Sequence, residues 1–375
     1  NAGTNTITTL ATTLKTTPTF SRFAAAAITP EKTENMSNVN TKIEWTDATW
    51  SPVTGCTKVS AGCKHCYAER LFPRVYGRES VGSLATGDYR QRQFTDVRCH
   101  PERLDQPLRW KKPRRIFVNS MSDLFHEDVP DEFILQVFDV MRQSLNGHAV
   151  ALNRLAATHT FQILTKRAWR MQYFMGRLVW DNGLRLGGEG RPAGPMLKNV
   201  WLGVSVENQA TADERMPLLL QTPAAVRFVS YEPALGSILF RRHIDVTRDG
   251  TVEGQIFVDH LSGIDWLIAG GESGPNARPS HPDWFRSVRD QCEAAGVSFF
   301  FKQWGEWMPR SHSGAGMMNR DGRWGTVTSA GEFFEKTTCW NGHDDDGSGE
   351  AIMFRVGKKT AGRTLDGHIH DEYPA

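Results

Sequence analysis

Three cysteines share one short stretch, Gly55-Cys56-Thr57-Lys58-Val59-Ser60-Ala61-Gly62-Cys63-Lys64-His65-Cys66-Tyr67-Ala68. Three thiolates can hold three irons of a cubane iron–sulfur cluster and leave the fourth iron open to a substrate or cofactor. The same triad can instead hold zinc, with His65 or another group as fourth ligand. A further option closes the cluster with Cys99 as a fourth thiolate, which would suit sensing or electron transfer.

The other cysteines form no comparable pattern. Six cysteines in 375 residues do not make a disulfide framework, and a reducing, cytoplasmic setting fits them better. Cys292 falls on the apolar face of a helical pattern that includes Trp284, Phe285 and Val288, so it reads as a small core residue. Cys99 and Cys339 are isolated and read the same way. The net charge of +2 does not point to nucleic acid as a partner of the whole chain. The local run Lys111-Lys112-Pro113-Arg114-Arg115 leaves a basic patch open. No apolar run approaches the roughly 18 residues of a membrane helix.

The elements that must position these residues follow one repeated pattern: a short apolar run, a polar cluster, then a helical stretch. The runs Arg115–Val118, Phe161–Leu164, Val200–Val204, Val226–Val229, Trp266–Ala269 and Val297–Phe301 begin roughly 25–45 residues apart, the length of a strand–helix unit with small insertions. Short apolar runs suit parallel strands buried on both faces. One helix begins at Pro130-Asp131-Glu132, with Phe133, Ile134, Val137, Phe138, Met141 and Leu145 on one face. Another begins at Pro282-Asp283 and ends at Gly296.

With the stretch before the cysteine loop (Trp50–Val53), about seven strands emerge, close to the eight of a full barrel. The expected fold is therefore α/β, a partial or incompletely closed (β/α) TIM-type barrel over residues 42–304. A doubly wound open sheet is the competing architecture. Residues 181–196 are rich in Gly and Pro and read as an insertion. Residues 305–375 lack the strand–helix rhythm and are expected to form a small irregular or β-rich appendage. Residues 1–35 are rich in Thr and Ala, with no acidic residue before Glu31. They read as disordered or as translated from upstream of the natural start, which puts 1–41 outside the folded region.

In parallel α/β folds the site lies at the carboxyl ends of the strands. Asp123, Lys166, Glu207, Glu232 and Glu272 all sit there, with Gly270-Gly271 preceding the last. One polar strand end is ordinary, but six, counting Lys302-Gln303 after the last run, in register with a cysteine loop suggest a site. Lys166-Arg167 is a cation pair suited to an anion such as phosphate. Glycines at a strand end let a ligand or another chain segment approach closely. Trp304 and Trp307 read more readily as packing residues than as stacking platforms.

A three-cysteine loop joining the first strand to the first helix resembles the arrangement of the radical S-adenosylmethionine enzymes. The resemblance implies a 4Fe–4S cluster whose open iron chelates the amino and carboxylate groups of S-adenosylmethionine. One-electron cleavage then yields a 5′-deoxyadenosyl radical, and a reducing partner such as flavodoxin or ferredoxin is implied. His65 stands where those enzymes place an aromatic residue beside the adenine. Glu207, Glu232 and Glu272 become candidates for the ribose or ammonium group, and Asp123 and Lys166 for substrate. Two features depart from the common pattern. Six residues separate Cys56 from Cys63 where three are usual, and Gly270-Gly271-Glu272 follows a late strand rather than the second.

A closer resemblance spans nearly the whole chain from Lys42. The runs Ile43–Trp50, Asn119–Phe125, Gln162–Arg167, Gly270–Gly274, Phe301–Gly305 and Gly357–Gly367 are similar to the phage gp thirty-seven/gp sixty-eight family of phages and bacteria. Its members share the three-cysteine loop and are regarded as radical-enzyme-like. The resemblance implies the fold and the cluster without naming a reaction. A nucleotide or nucleic-acid substrate is the expectation that the phage association and the basic pairs suggest. A zinc-stabilised nucleic-acid-binding protein without catalysis is the alternative.

Overall fold

Seven strands lie side by side in chain order: β1 (Ala48–Trp50), β2 (Arg115–Val118), β3 (Thr160–Thr165), β4 (Val200–Val206), β5 (Val226–Tyr231), β6 (Trp266–Gly270) and β7 (Ser298–Gln303). All six neighbouring pairs are parallel. The sheet curls into a half-barrel with β1 and β7 as its outermost strands, the incompletely closed barrel expected from the sequence. The computed structural model describes residues 41–76, 92–145, 148–149, 154–155, 157–180, 184–187, 196–249, 251–312, 323–336 and 350–374. The expected N-terminal extension, most of the 181–196 insertion and Cys339 lie outside them.

Each strand is apolar on both faces because each face meets a core. Outward residues such as Ile116, Val118, Phe161, Ile163, Leu202, Val204, Val229, Leu267 and Phe301 join one cluster with the helices. Those helices are α1 (Tyr67–Tyr76), α2 (Asp131–Leu145), α3 (Ala168–Arg177), α4 (Gln209–Gln221) and α5 (Pro282–Ala295). In α2, Phe133, Ile134, Val137, Phe138 and Met141 are buried, as the periodicity of the sequence requires. In α5, His281 caps the start by accepting from Asp283 N–H, and Gly296 ends the helix at φ 68°. Cys292 is fully buried on α5, and burial pushes its thiol pKa up.

Inward residues form a second cluster of Trp45, Phe117, Phe228, Trp266, Ile268 and Phe300, with Tyr373 packed on it. Trp45 meets Phe117 at 4.7 Å and Tyr373 meets Trp266 at 5.1 Å. Arg115 stacks on Tyr373 at 4.2 Å and pairs with Asp47 at 3.2 Å. This residue of the basic run therefore closes the amino end of the barrel, away from the strand ends where chemistry is expected. The C-terminal segment also covers the edge of β7, where Phe301 N–H donates to His370 O at 2.9 Å and Phe299 N–H to Glu372 Oε2 at 2.9 Å. Covering the edge removes a template for strand addition.

Two local readings are corrected. No helix lies between β5 and β6 among the described residues. An antiparallel hairpin, Arg241–Arg248 with Thr251–Asp259, occupies that crossover, where Ile244 and Val246 alternate with His243, Asp245 and Thr247 at the two-residue period of a strand. The first strand also ends at Trp50 rather than running to Val53. Val53–Thr54 pairs separately with Arg98–Cys99.

The C-terminal appendage is a four-stranded antiparallel sheet of β8 (Trp307–Pro309), β9 (Trp324–Val327), β10 (Phe333–Lys336) and β11 (Ala351–Arg355), in the order β8-β11-β9-β10. Trp304 and Trp307 are buried, their indole N–H groups donating to Thr364 O and Ala277 O, so both serve packing. No described helix is long and apolar enough to cross a membrane.

Candidate functional site

The cysteine loop leaves β1 at the carboxyl end of the sheet and lies across the ends of four other strands. Its entry is fixed first. Gly55 has φ +91°, and an added Cβ would stand 2.4 Å from Asp96 O. Cys56 N–H donates to Phe94 O at 2.9 Å and Arg92 Nη2 to Thr54 O at 2.9 Å. A single tight turn, Ala61–Cys63, then leads to α1.

Side chains from the strand ends hold what lies between. After β3, Arg167 Nη2 donates to Thr57 Oγ1 at 2.8 Å and Nη1 to Cys56 Sγ at 3.6 Å. After β4, Glu207 Oε1 accepts from Ser60 Oγ at 2.9 Å. After β6, Arg278 Nη2 donates to Ala61 O at 3.0 Å while bridging both oxygens of Glu272. After β2, Ser120 O accepts from the Tyr67 hydroxyl, and His126 Nε2 lies 2.8 Å from Thr57 Oγ1. His126 Nδ1 accepts from Asp128 N–H, which leaves Nε2 as the protonated nitrogen that donates to Thr57. Burial, and then the Arg167 charge, hold the His126 pKa below its ordinary value.

The three cysteines are half-buried and free of disulfides. Cys56 Sγ lies between Arg167 and Thr57 O, and Cys63 Sγ is 3.9 Å from Ser60 Oγ. Burial, reinforced by Asp123 and opposed by Arg167, pushes the Cys56 thiol up to about 12. Among the described residues no three His, Cys, Asp or Glu side chains already stand at ligating distance of one another. The donor set nonetheless suits a thiophilic centre: three free sulfurs on one anchored loop. His65 is half-buried and makes no hydrogen bond or ion pair within the described residues. Cys99 packs against the outer core and burial raises its thiol pKa. Its thiol is taken up in that packing, a poor place for a fourth ligand.

The carboxylates divide by what they touch. Glu207 is fully buried, 3.3 Å from Arg215 Nη1 and 3.4 Å from Lys166 Nζ. Asp123 accepts from Thr165 Oγ1, Phe125 N–H, Lys166 N–H and Arg167. With Glu272, these groups brace the loop and the turns beneath it. Glu232 differs. It faces the barrel interior, paired with Lys302 Nζ at 2.8 and 2.9 Å, and its charge reaches Tyr67 beside Cys66. Lys166 Nζ donates to Ser205 Oγ at 2.8 Å on the same inner face. Gly270 leaves only ordinary contact, 3.5 Å, between a hypothetical Cβ and Glu232. At Gly271 a Cβ would stand 2.0 Å from Trp304 O, so this glycine lets two strand-end turns pack together.

Sequence reasoning missed Arg215, Arg278, Ser60 and Gly62 as parts of the site. Arg215 carried a readable signal, a lone charge among Ala212, Met216 and Leu219 on the buried face of α4. Ser60 meets Glu207 across 147 positions and Arg278 meets Ala61 across 217, separations that leave no local pattern. The Lys166-Arg167 pair is not an open anion clamp. Arg167 also bonds Glu127 at 2.7 Å and Asp123 at 3.3 Å, with its side chain 4 % exposed.

Fold and site together define an α/β half-barrel with a three-cysteine loop braced over its mouth. The family model of DUF5131, described as a protein of unknown function, matches residues 40–374, and the chain belongs to that family. Searches of curated proteins and of solved structures return no match.

Proposed function

We propose that this protein is a radical S-adenosylmethionine enzyme that holds a 4Fe–4S cluster on Cys56, Cys63 and Cys66. One observation carries the reading: the loop bearing three free thiols is tied to the ends of β2, β3, β4 and β6, over the mouth of a parallel half-barrel. Three thiolates leave one iron for an exchangeable ligand, and this is the end of the sheet where such folds bind ligands. When bound, cluster and S-adenosylmethionine supply one-electron cleavage of a sulfonium and a carbon radical that abstracts hydrogen.

The chain's own residues would do the positioning. Glu207, Glu272 and Asp123 brace the loop. Glu232 and Lys302, with Lys166 and Gly270, face the interior beneath it and would meet the ligand or substrate. His65, beside Cys66, would flank the adenine. The phage association suggests a nucleotide or nucleic acid as substrate, and the radical S-adenosylmethionine reading implies a reducing partner such as a flavodoxin or ferredoxin. Binding to nucleic acid through phosphates would weaken steeply with salt.

Zinc is the second reading, and the uncommitted His65 next to Cys66 favours it, since three cysteines and one histidine make a closed structural site. Iron, sulfide and zinc content after anaerobic purification separates the two. About four irons and four sulfides per chain, lost when any of the three cysteines is replaced by alanine, fits the cluster. One zinc and no sulfide refutes it.

A further inference from the structure

We infer that Arg167 is a positioning residue for the cluster, one that fixes the Cys56 sulfur and keeps a cationic N–H donor on it. The inference rests on the cluster reading above. Arg167 is the first residue after Lys166 at the end of β3, and its guanidinium is spent entirely on the cysteine loop and the turn after β2. Nη1 reaches Cys56 Sγ at 3.6 Å and Asp123 Oδ2 at 3.3 Å. Nη2 reaches Thr57 Oγ1 at 2.8 Å and Thr57 O at 3.4 Å. Nε reaches Glu127 at 2.7 and 2.9 Å.

A planar fork with three separate edges can hold a sulfur, a hydroxyl and two carboxylates at once, and lysine cannot do this. The carboxylates keep the guanidinium in place, and Thr57 is held from its other side by His126. The sulfur that would bind iron thus faces a fixed donor rather than a mobile one. Hydrogen bonds and positive charge at cluster sulfurs favour the reduced, more negative state and raise the reduction potential. Neither Cys63 nor Cys66 has a basic side chain hydrogen-bonded to its sulfur among the described residues; the exposed Lys58 reaches them only through its charge, so the fixed N–H donor is particular to Cys56.

The test compares wild type, Arg167→Gln and Arg167→Lys, each reconstituted anaerobically with iron and sulfide and titrated by electron paramagnetic resonance against dithionite. Arg167→Gln is expected to lower the reduced-to-oxidised ratio at a fixed poise about tenfold, a shift of about 59 mV to more negative potential for one electron. Arg167→Lys should recover part of that shift through its retained charge. Equal potentials in wild type and Arg167→Gln overturn the inference while leaving the cluster reading intact. A wild type that takes up no cluster overturns the cluster reading itself. If Arg167→Gln folds but does not load, amide exchange of the metal-free proteins decides. Faster exchange over residues 56–66 than in wild type supports the positioning role, and unchanged exchange there overturns it.

Discussion

Replacing Gly62 by alanine tests whether the cysteine loop lies against β4 as described. Gly62 does not have a positive φ, so an alanine there is conformationally allowed. With free space around it, Gly→Ala at such a position stabilises by about 0.4–1 kcal/mol through the unfolded chain. The structure reverses that sign. The added Cβ would stand 2.6 Å from Glu207 Cγ and Oε1, where ordinary contact begins at 3.4 Å. About 0.8 Å must be found in a close-packed setting. Glu207 has little room to give it, being 1 % exposed and held by Arg215, Ser60 and Lys166. The loop must therefore move, at a cost of about 1–3 kcal/mol. Urea unfolding monitored by tryptophan fluorescence measures the stability change, and amide exchange over residues 56–66 measures the loop. Pairing the change with Glu207→Asp, which withdraws the carboxylate by one methylene, should return at least about 0.5 kcal/mol as coupling energy. A Gly62→Ala protein that is as stable as wild type or more so, with unchanged exchange in the loop, refutes the placement.

Further expectations concern the same framework. Glu207→Gln leaves the Arg215 guanidinium, 2 % exposed, with only the exposed Glu214 carboxylate at 3.8 Å as counter-charge, and should cost about 3–5 kcal/mol in urea unfolding; a loss under about 1 kcal/mol would show that the pair is not buried as described. Alanine at Cys56, Cys63 or Cys66 should each abolish metal uptake, whereas Cys99→Ala, which removes a thiol packed on the outer core, should leave it intact; metal loss in the Cys99 variant would make that thiol a ligand. His100, buried against Thr54 Oγ1, has its pKa lowered to about 4, chiefly by burial and then by Arg103. Its folded pKa lies below the unfolded value of about 6.5, so its contribution is complete above that pH and is lost as pH falls toward 4, at most about 3 kcal/mol in all. His100→Gln should flatten the fall in stability between those two pH values, and an unchanged slope would contradict the buried neutral histidine.

What could be read from the chain and what could not separate along physical lines. Strands buried on both faces are written as short runs that are mostly or wholly apolar, so Trp266–Ala269 announces itself without knowledge of its neighbours. The α2 stripe and the Gly296 cap are equally local signals. The β5–β6 crossover misled because a helical stretch was expected after every strand, although Ile244 and Val246 alternate with polar residues at the period of a strand. Positions at strand ends were legible as a group, but their roles were not. Whether Glu207, Glu232 or Glu272 meets a ligand depends on which cation each one finds. Arg215 lies eight residues from Glu207 and Lys302 seventy from Glu232. Local spacing signals the first of these and nothing in the chain signals the second. Likewise Lys166-Arg167 reads as two equivalent cations, yet one turns to the barrel interior and the other to the cysteine loop.

The central claim is that the loop of Cys56, Cys63 and Cys66 holds a cluster with one iron open to S-adenosylmethionine. The most direct measurement is the electron paramagnetic resonance spectrum of the anaerobically reconstituted, dithionite-reduced protein, recorded with and without S-adenosylmethionine. The account predicts a reduced cubane signal whose g-values change when S-adenosylmethionine is added, followed by release of 5′-deoxyadenosine. A protein that binds zinc and gives no cluster signal, or a cluster signal that S-adenosylmethionine leaves unaltered, contradicts it.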